Sequence, residues 1–352
     1  EHADLRNNQI SSLPQALIDA PLALRQRLLV EGNALSVADR ERLYAVQPGP
    51  GHLQGEEADI LHARTAWLAT LDEHGQLNRS GQWDALRQES GSTQFFLLLA
   101  ELIDSADFRL AREDISRRVW GMVESASQNT RIREELFDRA ADPRTCVDSV
   151  ARCFSQLEVR MRVLQVTFGG DPIATRDARL LLAQRMFRLD EVERIARADC
   201  LDRLAEGHAV DEVEVSLAYR TGLASRLNLI GQPRTLQFRA IAGVTQAHLD
   251  QAYATVLAAE TGVERVRYIS QRDFWAPYLR ARYPEAYARI SDDFDTRINT
   301  LDQEKEILGS GEYVQRCEQL KRETELAFDA LALQLTEQEL NMPLQGRPRQ
   351  GV

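Results

Sequence analysis

ATRDARLLLAQRMFRLDEVERIARADCLDRLA, residues 174–205, contains neither proline nor glycine and repeats apolar side chains at spacings of three and four. Leu180, Ala183 and Phe187 begin this series. Residues three and four apart lie on the same face of an α-helix, so this pattern predicts one long amphipathic helix. A helix of this length needs an apolar surface to cover its buried face. The stretch therefore indicates a domain made of packed helices.

The same helical period continues on both sides of this stretch. Nearly all of the chain from about residue 60 onward repeats it, and strand-like alternation is nearly absent. The one candidate strand is RTLQFRAIAGV, Arg234 to Val244, and a lone strand has nothing to pair with. We expect this segment to be an extended connector. The fold class predicted from the sequence is all-α, with Trp83, Trp120 and Trp275 in the core.

The chain divides into four regions by composition. DLRNNQISSLPQAL, Asp4 to Leu17, fits one leucine-rich repeat with Asn8 at the turn, and the rest of residues 1–46 fits its helical cap. Because the chain starts with Glu inside this repeat, we expect it to be a piece of a longer protein. The Gly/Pro-rich segment QPGPGHLQGEEAD, 47–59, predicts a linker. A helical domain over 60–340 and a disordered tail over 341–352 complete the prediction.

Composition excludes several classes of function. A net charge of −11 opposes binding to the phosphates of nucleic acid, and no apolar run approaches the roughly 20 residues of a membrane span. Four scattered cysteines and six dispersed histidines form none of the spacings typical of structural zinc or of a disulfide framework. We therefore predict no metal and no cofactor, and free thiols.

Cys146 lies in AADPRTCVDSVAR, two residues before Asp148. Thr145 and Asp148 have the spacing of a capping box, which predicts that Cys146 lies in the first turn of a helix. The positive end of a helix stabilises a thiolate, whereas the charge of Asp148 opposes it, so Asp148 is better explained as a base for an attacking amine. Local chemistry leaves two alternatives open: an inert structural cysteine, and a hydrolase that would need a histidine base.

Three separated stretches stand out: TCVDSV around Cys146, MFRLDEVERIA with VDEVEVSLAYRTGLASRLNL, and LQFRAIAGVTQAHLDQA. Together they resemble the NEL (novel E3 ligase) domain of bacterial effector ubiquitin ligases, the IpaH, SspH and SlrP family. The second stretch is the most specific, because its run of acids at Asp211, Glu212 and Glu214 is interrupted by valines. Weaker similarity covers most of residues 60–340.

The resemblance implies a helical catalytic domain that follows leucine-rich repeats, and a thioester mechanism without cofactor. Cys146 would accept ubiquitin from a ubiquitin-conjugating enzyme and pass it to a lysine of a host protein, while Asp148 activates the amine. Asp211, Glu212 and Glu214 would line the cleft or contact the conjugating enzyme, unless they form a solvated or capping face. Family members often have Arg directly after the C-x-D motif, where this chain has Ser149. The implied location is the cytoplasm of a host cell, after secretion by a bacterium.

Overall fold

The computed structural model describes residues 3–5, 8, 10, 28–29, 33, 50–142, 147–168, 176–236, 239 and 241–342. These residues form thirteen α-helices and two short strands, which confirms the all-α prediction for the main domain. The helices are α1 Pro50–Leu68, α2 Glu73–Arg87, α3 Ser92–Glu101, α4 Ala106–Leu110, α5 Arg112–Gln128, α6 Thr130–Arg139, α7 Val147–Phe168, α8 Arg176–Ala205, α9 Glu212–Leu223, α10 Gln246–Glu260, α11 Val263–Ser270, α12 Ala276–Arg282 and α13 Pro284–Asn341.

The N-terminal segment contains a parallel strand pair, β1 (Ala3–Asp4) with β2 (Leu28–Leu29), in which Ala3 pairs with Leu28. The buried side chain of Asn33 accepts hydrogen bonds from the backbone N–H groups of Asn8 (2.9 Å) and Ile10 (3.0 Å), and donates to the carbonyl of Leu5 (2.7 Å). Asn33 follows Asn8 by 25 positions, as Leu28 follows Ala3. This interval lies in the range of leucine-rich repeats, and the repeat and cap over 1–46 stay a prediction.

The predicted linker over 47–59 is helical from Pro50 onward, so the expected break in helical structure there is wrong. Proline is well tolerated at the first position of a helix, where its missing N–H would have no partner. Farther along α1, Ile60, Ala63 and Trp67 are buried, and the indole N–H of Trp67 donates to the carbonyl of Leu99 (2.9 Å). This burial offsets the poor helix propensity of the glycines. The domain boundaries themselves stay a prediction.

The first hydrophobic core lies among α1 to α7 and is rich in aromatic rings. Trp83 packs against Phe96 at 4.6 Å and against Trp120 at 6.0 Å between ring centroids. Trp275 is buried in a second part of the molecule, where its indole N–H donates to Thr336 (2.8 Å). The prediction that Trp83, Trp120 and Trp275 belong to the core is confirmed.

Two further cores lie in the C-terminal half, one among α8, α9 and α10 and one among α8, α11, α12 and α13. Side chains from α7 contribute to all three cores, so α7 is the central helix of the domain. The long α13 bends at Gly309, whose φ of 75° lies in the left-handed region that favours glycine. Its two arms run side by side, as shown by Tyr287 stacked on Phe328. None of the helices that the structure describes is long and apolar enough to cross a membrane.

Candidate functional site

The predicted nucleophile, Cys146, lies outside the described residues, as does Thr145 of the predicted capping box. α7 begins at Val147, the next residue of the chain, and carries Asp148 in its first turn. An acid in the first turn is favoured by the positive end of the helix dipole. The position of Cys146 therefore stays a prediction, whereas the surroundings of Asp148 can be described.

Asp148 is almost completely buried, with 1% of its surface exposed. The carboxyl of Glu214, itself 2% exposed on α9, shares a hydrogen bond with that of Asp148. Burial, the charge of Asp148 and this hydrogen bond raise the pKa of Glu214 to about 7. Ionising both of two carboxyl groups in contact is unfavourable, so the pair holds one shared proton below pH 7 and loses it as pH rises through about 7. The sequence singled out both acids but did not show that they meet.

The way α9 begins explains why the side chain of Glu214 points toward Asp148. Asp211 is the N-cap of α9, and its side chain accepts from the backbone N–H groups of Val213 (3.1 Å) and Glu214 (3.2 Å). Asp211 and Glu212 are exposed, and only Glu214 turns inward. Of the three predicted acids, Asp211 is thus a cap, Glu212 lines a surface cavity, and Glu214 joins Asp148.

A buried arginine, which sequence reasoning missed, holds the helices around this acid pair. Arg220 of α9 donates to Glu193 of α8 (2.9 Å), to Ser155 of α7 (2.7 Å) and to Gln232 in the connector (2.7 Å). Its burial lowers the pKa of the guanidinium from its usual value. Ser216 also donates to Glu193 (2.8 Å). The network fixes α7, α8 and α9 relative to one another, and hence Asp148 relative to Glu214.

A second network holds the connector after α9 against the first half of the domain. The buried carboxylate of Asp107 accepts from the backbone N–H groups of Arg234 (2.9 Å) and Thr235 (2.7 Å). Arg118 links Glu158 on α7 (2.7 Å) to the carbonyl of Gly231 (2.8 Å). The described part of the predicted connector, 234–236, 239 and 241–244, contains no strand, as expected.

The cavities near α7 are polar and lack histidine. A small one, of about 90 Å³, lies among α7, α8 and α9 and is lined by Arg152, Glu193, Arg197, Cys200 and Glu212, among others. No histidine among the described residues lines this cavity or the larger one that adjoins it. Cys153 and Cys200 are both buried, in the first and second hydrophobic cores respectively. Burial and the charges of Asp199 and Glu212 raise the pKa of the Cys200 thiol, so Cys200 is a poor nucleophile.

Comparison with known proteins shows the family to which the chain belongs. Residues 67–286 match the family model described as "C-terminal novel E3 ligase, LRR-interacting". The chain is 28% identical to the E3 ubiquitin-protein ligase ipaH7.8 of Shigella flexneri over 94% of this chain and 61% of that protein. It is 28% identical to the probable E3 ubiquitin-protein ligase ipaH4.5 of Shigella flexneri over 91% of this chain and 54% of that protein. The chain thus spans about half to three fifths of the length of these relatives.

Proposed function

We propose, from the premise that this chain belongs to the C-terminal novel E3 ligase (NEL) family, that it is a ubiquitin ligase acting through a thioester on Cys146. The observation that carries this proposal is the buried acid pair formed by Asp148, in the first turn of the helix that follows Cys146, and Glu214 of α9. Because the pKa of Glu214 is about 7, a fraction of these pairs lacks the shared proton at neutral pH and can accept one. This is the property that transfer to an amine requires.

In the first step, the thiolate of Cys146 attacks the carbonyl carbon of the thioester that joins ubiquitin to the conjugating enzyme. A new C–S bond forms to Cys146, the C–S bond to the conjugating enzyme breaks, and its thiolate leaves. No oxidant, metal or nucleotide is consumed, because one thioester replaces another. The dipole of α7 favours a thiolate at its N-terminal end, and sharing a proton with Glu214 reduces the opposing negative charge of Asp148.

In the second step, a lysine of the acceptor protein attacks the Cys146 thioester. A lysine ammonium has a pKa near 10.4, so it must lose a proton before it can attack. The Asp148 carboxylate takes that proton and the neutral amine attacks the thioester carbonyl carbon. As the amide bond forms, the second nitrogen proton passes to solvent, the C–S bond breaks and Cys146 leaves as a thiolate. Glu214 positions Asp148 through the hydrogen bond between the two carboxyl groups. Arg220 has an indirect positioning role, because its hydrogen bonds hold together the helices that carry the two acids.

The partners of the proposed reaction are ubiquitin, a conjugating enzyme charged with ubiquitin, and a host protein bound through leucine-rich repeats. The Shigella relatives support a bacterial effector that is secreted and acts in the cytoplasm of a host cell. The parallel pair β1–β2 and the asparagine contacts of Asn33 support a repeat unit before the catalytic domain. Most of a substrate-binding solenoid would lie outside this chain, so we expect unguided self-modification or free ubiquitin chains.

The test is a reaction of activating enzyme, conjugating enzyme and ubiquitin with the full chain, analysed on non-reducing gels. Wild type should form a ubiquitin adduct that thiol reagents remove, and Cys146→Ser should form an adduct that resists them, because an oxyester replaces the thioester. Cys317→Ala is the matched control, since Cys317 is a free, partly exposed thiol far along the chain on α13. Ubiquitin chains built by Cys146→Ala would refute the assignment of the nucleophile.

Asp148→Asn separates the two steps. It keeps the shape of the side chain and removes the base, so the Cys146 adduct should still form while its discharge to free lysine slows by about 10²- to 10⁴-fold at neutral pH. Loss of adduct formation itself would contradict the proposed role of Asp148. Cleavage of a preformed ubiquitin conjugate without any conjugating enzyme would instead support a cysteine hydrolase, and the absence of any adduct would support a non-catalytic helical module.

A further inference from the structure

The larger cavity beside the proposed site is a groove of about 830 Å³ between α7 and α8, closed at one end by residues 271–274. Seven arginines line it, against only three acidic residues, Asp190, Glu193 and Asp273. The whole chain has a net charge of −11. A groove of opposite charge on an acidic protein focuses the electric field and attracts anionic ligands.

Most of these arginines are already paired within the protein. Glu135 accepts from Arg139 (2.7 Å) and Arg160 (2.8 Å), whereas Arg194 pairs with Glu191 (2.8 Å). Arg220 is held by the buried network described above. Arg272 stacks on the ring of Tyr268, with 4.0 Å from its guanidinium carbon to the ring centroid. These arginines have structural partners and need no ligand.

Arg152 and Arg197 differ from the others. Among the residues that the structure describes, neither has a carboxylate within 4.0 Å or a hydrogen-bond acceptor, and Nε of Arg152 is buried without a partner. A buried donor that is left unpaired costs roughly 1–3 kcal/mol. Both side chains line the groove and also the smaller cavity near Glu212, so they lie where the two spaces meet. A carboxylate that enters the groove would find both side chains in its lining without a competing carboxylate partner.

Arg152 and Arg197 lie near Asp148, the proposed base for the acceptor lysine. Arg152 lies four residues after Asp148, on the same face of α7 and about 6 Å along the helix axis. The groove continues along α7 from Arg152 to Val163, about 16 Å, which accommodates about five residues of an extended chain at 3.3 Å each. A lysine beside Asp148 would therefore place residues two to four positions away at Arg152 and Arg197.

We propose that this groove binds the acceptor protein through acidic side chains two to four residues from the modified lysine, held by Arg152 and Arg197. The inference rests on the proposed function, and it adds a preference for the sequence around the acceptor lysine. Carboxylates match guanidinium groups in geometry and charge. Asp148 lines neither cavity, but the α7 residues that line the groove continue the same helix face at spacings of four and three from Arg152 to Val163. An acceptor whose lysine reaches Asp148 would run along this face, so we assign the groove to the acceptor and not to the conjugating enzyme.

The experiment measures discharge of the preformed Cys146 thioester to short synthetic peptides in single turnover, with the full chain. Each peptide has one lysine, with two glutamates placed two to four residues after it in one peptide and two glutamines at the same positions in the other. Wild type should show a KM about 10-fold lower for the glutamate peptide, corresponding to about 1.4 kcal/mol from two charge-assisted contacts. The preference should weaken as salt is raised, because salt screens partly exposed charges.

Arg152→Gln/Arg197→Gln should reduce the preference to less than about twofold, without changing formation of the adduct or its discharge to free lysine. Arg316→Gln/Arg322→Gln is the matched control, since it removes two positive charges from α13, outside the groove. An equal preference in wild type and the groove variant would overturn the inference, as would no preference at all. Slower loading of the groove variant by the conjugating enzyme would also overturn it and assign the groove to that enzyme. Failure of wild type to form any adduct would refute the proposed function instead.

Discussion

Replacing Glu214 by glutamine should make the protein more stable above neutral pH. Glutamine keeps the shape and hydrogen-bonding capacity of a protonated glutamate but cannot ionise. In wild type, Oε2 of Glu214 is buried and has no donor among the described residues. Ionisation at this place therefore adds a second negative charge beside Asp148 without compensation. Glu214→Gln removes that cost and leaves the packing unchanged.

The magnitude follows from the pKa of Glu214, which is about 7 in the folded protein against 4.5 as its ordinary value. An acid with a raised pKa binds more protons in the folded state than in the unfolded state between these two values. The contribution of Glu214 to stability is therefore fully present below about pH 4.5, falls as pH rises from 4.5 to 7, and is constant once the group is ionised. The difference of about 2.5 pH units corresponds to about 3 kcal/mol. Glu214→Gln and wild type should match below about pH 4.5 and differ by about 3 kcal/mol above about pH 8.

Urea unfolding followed by circular dichroism, with a reductant to protect the thiols, measures this difference across the pH range. Glu212→Gln is the matched control, since Glu212 is the exposed neighbouring acid in the first turn of α9. A difference between Glu214→Gln and wild type that is constant with pH, or that shrinks as pH rises, would refute the shared proton. Rates of discharge from Cys146 give a second readout: a wild-type step near pH 7 should disappear in Glu214→Gln.

Two further predictions concern the packing that holds the acid pair. Arg220→Met should destabilise the protein by about 3–5 kcal/mol, because it leaves Glu193 without its buried partner, and Arg220→Met/Glu193→Met should recover part of this loss in urea unfolding. Recovery of nothing would show that Arg220 acts mainly through Ser155 and Gln232. Gly222→Ala should cost about 1–3 kcal/mol, because the added Cβ would lie 2.7 Å from the Leu249 side chain on α10. Gly121→Ala, in the interior of α5 with no atom within 4 Å of the added Cβ, should instead stabilise by about 0.5–1 kcal/mol through helix propensity. The same sign for both glycine variants in thermal melts would contradict the close packing of α9 on α10.

The helices were predictable from the sequence because their main determinant is local. Residues 174–205 repeat apolar side chains at spacings of three and four residues, and α8 occupies Arg176–Ala205. The α1 start at Pro50 was not predictable in this way, because the burial of Trp67 against α3 outweighs the weak helix propensity of Gly51 and Gly55. Tertiary contacts of this kind have no signature in a local window.

The acid pair illustrates the same limit within the site. The run Asp211, Glu212 and Glu214 is visible in the sequence, but the three acids take three different roles that depend on helix phase. Asp211 caps the helix because it immediately precedes it, and Glu214 turns inward two residues after the exposed Glu212. That Glu214 then meets Asp148, 66 residues earlier in the chain, depends on how α9 packs on α7. Sequence reasoning named both residues without the contact that links them.

The polar face of α7 is covered by other helices and is not part of the solvent-exposed surface, so its polar side chains need partners. Val150, Phe154 and Leu157 belong to the first core, yet the opposite face is also covered, by α8 and α9. A buried polar face costs stability unless each group is paired. Ser155 and Glu158 on α7 are paired, with Arg220 and Arg118 respectively. Arg152 is the one polar side chain of this face, among the described residues, whose buried nitrogen has no partner. Arg152 therefore lies one turn from the proposed base, in the lining of the groove and without a carboxylate partner among the described residues. A carboxylate of the acceptor would supply that partner, which is why the peptide discharge assay is the sharpest test of the proposed acceptor preference.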